Sequence, residues 1–80
     1  MKKKITIEDK IKYLGGSLDG KLVRPSIANE ALKYKINIIK FYQIDGADYP
    51  MGMRESYEAT EIDGQLVFML ADQNKFEINI

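Results

Sequence analysis

Three Asp-Gly pairs, Asp19-Gly20, Asp45-Gly46 and Asp63-Gly64, punctuate runs rich in Ile, Val, Tyr and Phe. A two-residue hairpin turn needs positive φ at its central positions, which glycine adopts freely and aspartate tolerates. The chain therefore reads as short strands joined by reversals. The most complete reversal runs from Arg54 to Leu70. With Asp63-Gly64 as the turn, Ile62 pairs with Gln65, Ala59 with Phe68 and Tyr57 with Leu70. Side chains alternate with period two along a strand, so Tyr57, Ala59, Leu66, Phe68 and Leu70 share one face. Only Glu61 is charged on that face, and it lies beside the turn, within reach of water.

The remaining segments are read the same way. Thr6 to Lys10 fits a helical turn, with Thr6 as cap and acids behind it, whereas Lys10 to Gly15 alternates as a strand. Gly15 to Gly20 is a turn cluster, and Lys21-Leu22-Val23-Arg24 is a short strand stopped by Pro25. Ser26 to Lys33 reads either as a short helix behind Pro25 or as an irregular connection, because eight residues stay helical only when packed. Tyr34 to Ile44 has apolar residues of both parities, as in a central strand or one bulged near Ile38-Ile39. Asp45 to Gly52 reads as a loop, and Asp72-Gln73-Asn74 as a turn into a last strand where Phe76, Ile78 and Ile80 alternate. The expected fold is mainly β, with α+β as the alternative. It is a small antiparallel meander or partly open barrel of about five or six strands, with at most one or two short helices.

Eighty residues support one core, so residues 1–80 form a single domain. The chain has no cysteine, which removes disulfides and thiolate metal sites. A small domain without such staples gains stability by association, so a homo-oligomer is an expected state. No apolar run approaches the ~18 residues of a membrane span. No apolar stretch of signal-peptide type follows Lys2-Lys3-Lys4, so a cytoplasmic location is expected. Residues 1–40 carry +6 and residues 41–80 carry −6, and the whole chain is neutral. The simplest account is that the two halves neutralise each other in one sheet. Zero net charge argues against generic DNA binding, which depends on neutralising phosphates.

The run Lys10-Ile11-Lys12-Tyr13-Leu14-Gly15-Gly16-Ser17-Leu18-Asp19-Gly20-Lys21-Leu22-Val23 resembles the start of small uncharacterised phage and prophage proteins. Those proteins open with a short strand, a Gly-Gly-x-x-Asp-Gly turn and a valine-containing strand. Tyr57, Gly64 and Val67-Phe68 resemble their second half. Ser17 departs from the pattern, standing where proline is common, and Ser26 to Lys33 is long for it. The resemblance implies a phage or prophage accessory protein in the host cytoplasm. Small phage accessory proteins often bind and block host factors, defence systems included; the expected function here is stoichiometric binding, to a host protein or to a small nucleotide-like signal in a pocket lined by arginine and tyrosine. A structural protein that self-associates through edge strands is the alternative.

Catalysis has little to build on. The chain has no histidine, the usual general base and commonest metal ligand. Gly15 to Lys21 matches neither a P-loop nor a dinucleotide fingerprint. Asp45, Asp48, Asp63 and Asp72 show no calcium-loop spacing. Glu55, Glu58 and Glu61 recur every three residues and are expected on one strand pair, beside basic partners from the N-terminal half. No cofactor or metal is expected. The residues best suited to ligand binding are Arg24 and Arg54, for bidentate anion recognition, and Tyr49 and Tyr57, as stacking faces.

Overall fold

A computed structural model describes residues 4–46 and 48–78. It is mainly β, with one helix and a four-stranded sheet curled into a half-barrel. The elements are β1 (Tyr13–Leu14), α1 (Pro25–Tyr34), β2 (Ile38–Ile44), β3 (Met51–Ile62) and β4 (Gln65–Glu77). The sheet order is β1-β4-β3-β2. β2, β3 and β4 form an antiparallel meander, and β1 adds parallel to β4 through Tyr13↔Phe68 and Leu14↔Met69.

The hairpin register is the expected one, with Ile62↔Gln65, Ala59↔Phe68 and Tyr57↔Leu70. Asp63 at φ 50° and Gly64 at φ 78° give both central turn positions positive φ. A turn of that hand matches the right-handed twist of the flanking strands. The other two Asp-Gly pairs act differently. Asp19 at φ −47°, ψ 126°, with Gly20 at φ 82° and a 2.9 Å bond from the Lys21 N–H to the Leu18 carbonyl, makes a type II turn. Asp45-Gly46 opens the β2–β3 connection, in which Ala47 lies outside the described residues.

Several expectations are corrected. The sheet has four strands, not five or six, and one of its pairings is parallel. Lys21 to Arg24 forms only an isolated bridge, Lys12↔Leu22. Tyr34 belongs to the helix, so the strand expected from Tyr34 begins at Ile38. β2 is an edge strand, and the bulge lies not at Ile38-Ile39 but in β4, where Leu70 faces Tyr57 and Asp72 faces Ser56. Asp72-Gln73-Asn74 is not a turn. It continues β4, because its side chains find partners across on β3: Asp72 with Arg54 and Gln73 with Glu55. β4 ends at Glu77, and the expected continuation through Asn79 and Ile80 lies outside the described residues. Thr6 and Asp9 form the N-terminal capping box of a 3-10 turn over Ile7–Asp9.

The expected short helix is present. Pro25 occupies its first turn, where a missing N–H is harmless. Lys35, in the left-handed region, ends it, and the Ile36 N–H returns to the Ala31 carbonyl at 3.0 Å. Asn29 ties the N-terminal segment to the helix. Its carboxamide accepts from the Ile5 N–H and donates to the Ile5 carbonyl, both at 2.8 Å. Ala28 and Ala31 let the helix approach the sheet closely. They pack with Ile11, Tyr13, Val23, Ile38, Tyr57 and Phe68 to form the core. Full burial of a side chain such as Phe68 is worth roughly 2–3 kcal/mol.

That core covers only one end of the sheet. β3 has 12 residues and β4 has 13. Beyond Glu55, β2, β3 and the end of β4 run on as a three-stranded arm, and the molecule is 50 Å long but only 22 by 19 Å across. On the outer face of the arm, Gly52 leaves a gap that the Phe76 ring fills. A Cβ at Gly52 would lie 2.6 Å from Phe76 Cζ. Across that gap Phe76 meets Phe41 edge to face, with centroids 6.3 Å apart. Gly52→Ala is therefore expected to push the Phe76 ring aside and separate it from Phe41. Phe76 sits at the surface and can swing, so the stability change should stay within about 1 kcal/mol. Loss of ring–ring NOEs between Phe41 and Phe76 in an otherwise native NMR spectrum would confirm it, and unchanged NOEs would refute it.

Candidate functional site

Two features of the fold place chemistry. The first is the Gly15–Ser17 loop, which is clamped onto the inner face of β3. Glu55 and Tyr57 share that face, two residues apart, and both are fully buried. The Glu55 carboxylate accepts from the Ser17 N–H at 3.0 and 3.2 Å, from the Ser17 hydroxyl, and from Gln73 Nε2 at 2.9 Å. The Tyr57 hydroxyl donates to the Gly15 carbonyl at 2.9 Å and accepts from the Leu18 N–H at 3.3 Å. Its single proton is thus committed to Gly15, and its contact with Glu55 is longer, at 3.5 Å. Asp19 closes the loop from the other side by accepting the Gly15 N–H at 2.7 Å. The Tyr57 ring packs edge to face on Tyr13 at 4.9 Å.

The electrostatics follow from these contacts. Burial alone would raise the Glu55 carboxyl, but the bonds from Ser17 and Gln73 outweigh it and hold the group below the ordinary carboxylate range. Burial, with Glu55 beside it, pushes the Tyr57 phenol up, which keeps it a donor at neutral pH. A carboxylate with a depressed pKa and occupied lone pairs is a weak base. The arrangement therefore serves to lock the loop onto the sheet. As expected, Glu55 lies beside a basic residue of the N-terminal half, Lys40, its register partner on β2, but its carboxylate takes its hydrogen bonds elsewhere. Its nearest donors come from Ser17 and Gln73. Glu58 and Glu61 are exposed on the hairpin, on opposite faces.

The second feature is the outer face of the arm. Phe41, 66% exposed, and Ile39 and Phe76 leave apolar surface in water there. Between Phe41 on β2 and Asn74 on β4 sits Arg54, whose NH2 pairs with Asp72 at 2.8 Å. Asn74 donates to the same Asp72 oxygen at 2.7 Å.

The four residues singled out for ligand binding do not converge. Arg24 caps the start of α1 and is exposed. Arg54 lies on the outer face of the arm in its pair with Asp72. Tyr49 projects from the β2–β3 connection. Tyr57 is fully buried in the core and offers no ring face to a ligand. The sequence reading passed over Phe41, Phe76 and the buried role of Glu55. Glu55 carried a usable signal: it has the parity of Tyr57 and Ala59, so the hairpin register already turned it inward. Among the described residues, no group of acidic side chains is arranged to hold a metal ion, and no helix is long and apolar enough to cross a membrane. The chain matches no family model, no curated protein and no solved structure.

Proposed function

We propose that this protein works by stoichiometric binding to another polypeptide, through the uncovered three-stranded arm. The observation that carries this reading is the aromatic outer face: Phe41 and Phe76 in mutual contact over Gly52, beside the Arg54–Asp72 pair, with no other described element packed on it. A contiguous apolar patch rimmed by polar groups marks a contact surface more often than a ligand pocket. Aromatic and arginine side chains are also the residues that dominate such interfaces. The resemblance of Lys10 to Val23 to phage and prophage proteins supports an accessory role in the host cytoplasm, with a blocked host protein as the target class.

A nucleotide-sequestering version would need Arg24, Arg54, Tyr49 and Tyr57 around one ligand, and they occupy separate parts of the molecule. Calorimetric titration with adenosine and guanosine nucleotides is expected to give no heat that depends on both Arg24 and Arg54. Binding abolished by Arg24→Ala and equally by Arg54→Ala, with the fold intact, would restore that version. Native mass spectrometry of the chain purified from its host cells tests the protein-binding reading. It is expected to show a polypeptide companion in whole-number stoichiometry, lost in Phe41→Lys. A chain carrying only a small-molecule mass would overturn it.

A further inference from the structure

We infer that the edge of β2 pairs with β2 of a second copy of this chain. The two strands run antiparallel about a two-fold axis through Phe41 and join two arms into one six-stranded sheet. The inference rests on reading the arm as a protein-binding surface: its strand edge takes a second copy, and its outer face is left to the host protein.

The two free edges of the arm differ. The open edge of β4 beyond β1 begins at a bulge and carries Asp72, Lys75 and Glu77, the kind of charge that keeps strands from pairing. Along its seven residues, Ile38 to Ile44, β2 has one charge, Lys40, and neither a proline nor a bulge. Its free backbone edge is a template for another strand, and its side chains suit its own copy.

The register is determined by elimination. A two-fold axis normal to the sheet keeps each face on its own side, so only residues of the same parity meet. Centring on Lys40 sets Lys40 against Lys40 of the copy, and like charges directly opposite each other repel. Centring on any residue other than Phe41 runs part of β2 past its partner's end: on Tyr42, Ile39 meets Asp45 of the turn and Ile38 is unpaired, and on Ile39, Gln43 and Ile44 are left without strand partners. Centring on Phe41 uses all of β2. Phe41 then meets Phe41, Lys40 meets the Tyr42 ring, Ile39 meets Gln43 and Ile38 meets Ile44. Two phenylalanine pairs, Phe76–Phe41 and its symmetry mate, become one aromatic row on the outer face. On the inner face, Ile44 of the copy lands beside Ile38. There a groove of ≈ 240 Å³, lined by Ile27, Ala31, Ile36 and Ile38 and flanked by Glu30 and Lys40, lies open at the sheet edge. Asn37 and Ile39 complete its lining, and its apolar part has room for an aliphatic side chain. A seven-residue ladder sits at the small end of stable interfaces, so the dimer is expected to dissociate on dilution.

Sedimentation velocity over a concentration series tests the pairing. The wild-type chain is expected to pass from monomer to dimer. Phe41→Lys and Phe41→Glu should each weaken the dimer roughly tenfold or more, because each brings like charges together on the axis. An equimolar mixture of the two should recover a dimer containing one of each. Circular dichroism checks that both variants fold, the outcome expected from the exposure of Phe41. Should either fail to fold, Ile39→Lys with Gln43→Glu in one chain should strengthen the dimer, and Ile39→Lys with Gln43→Lys should weaken it. A monomeric wild type, a mixture that does not pair, or open-ended oligomers would overturn the inference. If the wild type is monomeric while native mass spectrometry shows a different polypeptide lost in Phe41→Lys, the self-pairing falls and the protein-binding reading stands. If neither a dimer nor a companion is found, both fall.

Discussion

Glu55→Ala is expected to lower stability by about 3 kcal/mol, a large part of the total for a domain of this size. The substitution removes one carboxylate and leaves at least three donors without their acceptor: the Ser17 N–H, the Ser17 hydroxyl and the Gln73 amide. The Ser17 loop then loses its main anchor to β3, and only the Tyr57 bonds to Gly15 and Leu18 remain. Glu55→Gln retains one acceptor oxygen but turns an amide NH2 toward groups that are themselves donors. It should cost about 2 kcal/mol. The pH dependence separates charge from packing. Folding lowers the Glu55 pKa, so the folded state binds fewer protons and the stability contribution is complete above the unfolded value of about 4.5. That contribution is lost as pH falls through the folded value. The gap between wild type and Glu55→Gln in urea unfolding should therefore be widest near about pH 7 and narrow toward about pH 3. A gap that holds constant over that range would show that the carboxylate charge is not what the loop uses.

The parts of the fold that were legible in the sequence are those governed by local rules. The β3–β4 hairpin follows from period-two alternation and one Asp-Gly pair with positive φ at both positions, so its register could be assigned residue by residue. The short helix follows from Pro25 and needed only packing through Ala28 and Ala31 to decide it. The parallel pairing of β1 with β4 was not legible, because it joins residues more than fifty positions apart through only two register pairs. Asp72-Gln73-Asn74 misled because its composition suits a turn. On an arm with water on one face, polar side chains cost nothing in a strand, and here they gain Arg54 and Glu55 as cross-strand partners.

The site was less legible for a related reason. Arg24, Arg54, Tyr49 and Tyr57 were selected by residue type, whereas a binding surface is determined by which types meet. The hairpin register already placed Tyr57 on the core face, and a fully buried tyrosine whose hydroxyl bonds Gly15 and Leu18 is structural. Phe41 has the opposite parity to Tyr42, and only the edge position of β2 turns it from a core candidate into exposed surface. No local pattern distinguishes an edge strand from a central one. The Gly-Gly pair that carried the resemblance to phage proteins is explained by what lies beneath it: one glycine fits against Leu70, and the other against Glu55 and Tyr57.

Gly16→Ala tests that last point and is expected to cost about 3 kcal/mol. Two effects add. At φ +67° an L side chain is strained, by roughly 1–2 kcal/mol. The added Cβ would also stand 2.5 Å from the Tyr57 hydroxyl and against the Glu55 carboxylate. Neither can retreat, because both are fully buried and hydrogen-bonded. Gly20→Ala is the control. Its φ of +82° is equally unfavourable, but nothing lies within 4 Å of the new atom, so only the backbone strain of about 1–2 kcal/mol should appear. The difference between the two variants in urea unfolding measures the close approach itself. A double-mutant cycle sharpens the test. Once Glu55→Ala has opened the space beneath residue 16, adding Gly16→Ala should cost less than it does in the wild-type background, by about 1 kcal/mol or more. Strict additivity would mean that the alanine at position 16 does not meet the Glu55 carboxylate, leaving backbone strain and the Tyr57 hydroxyl as its cost.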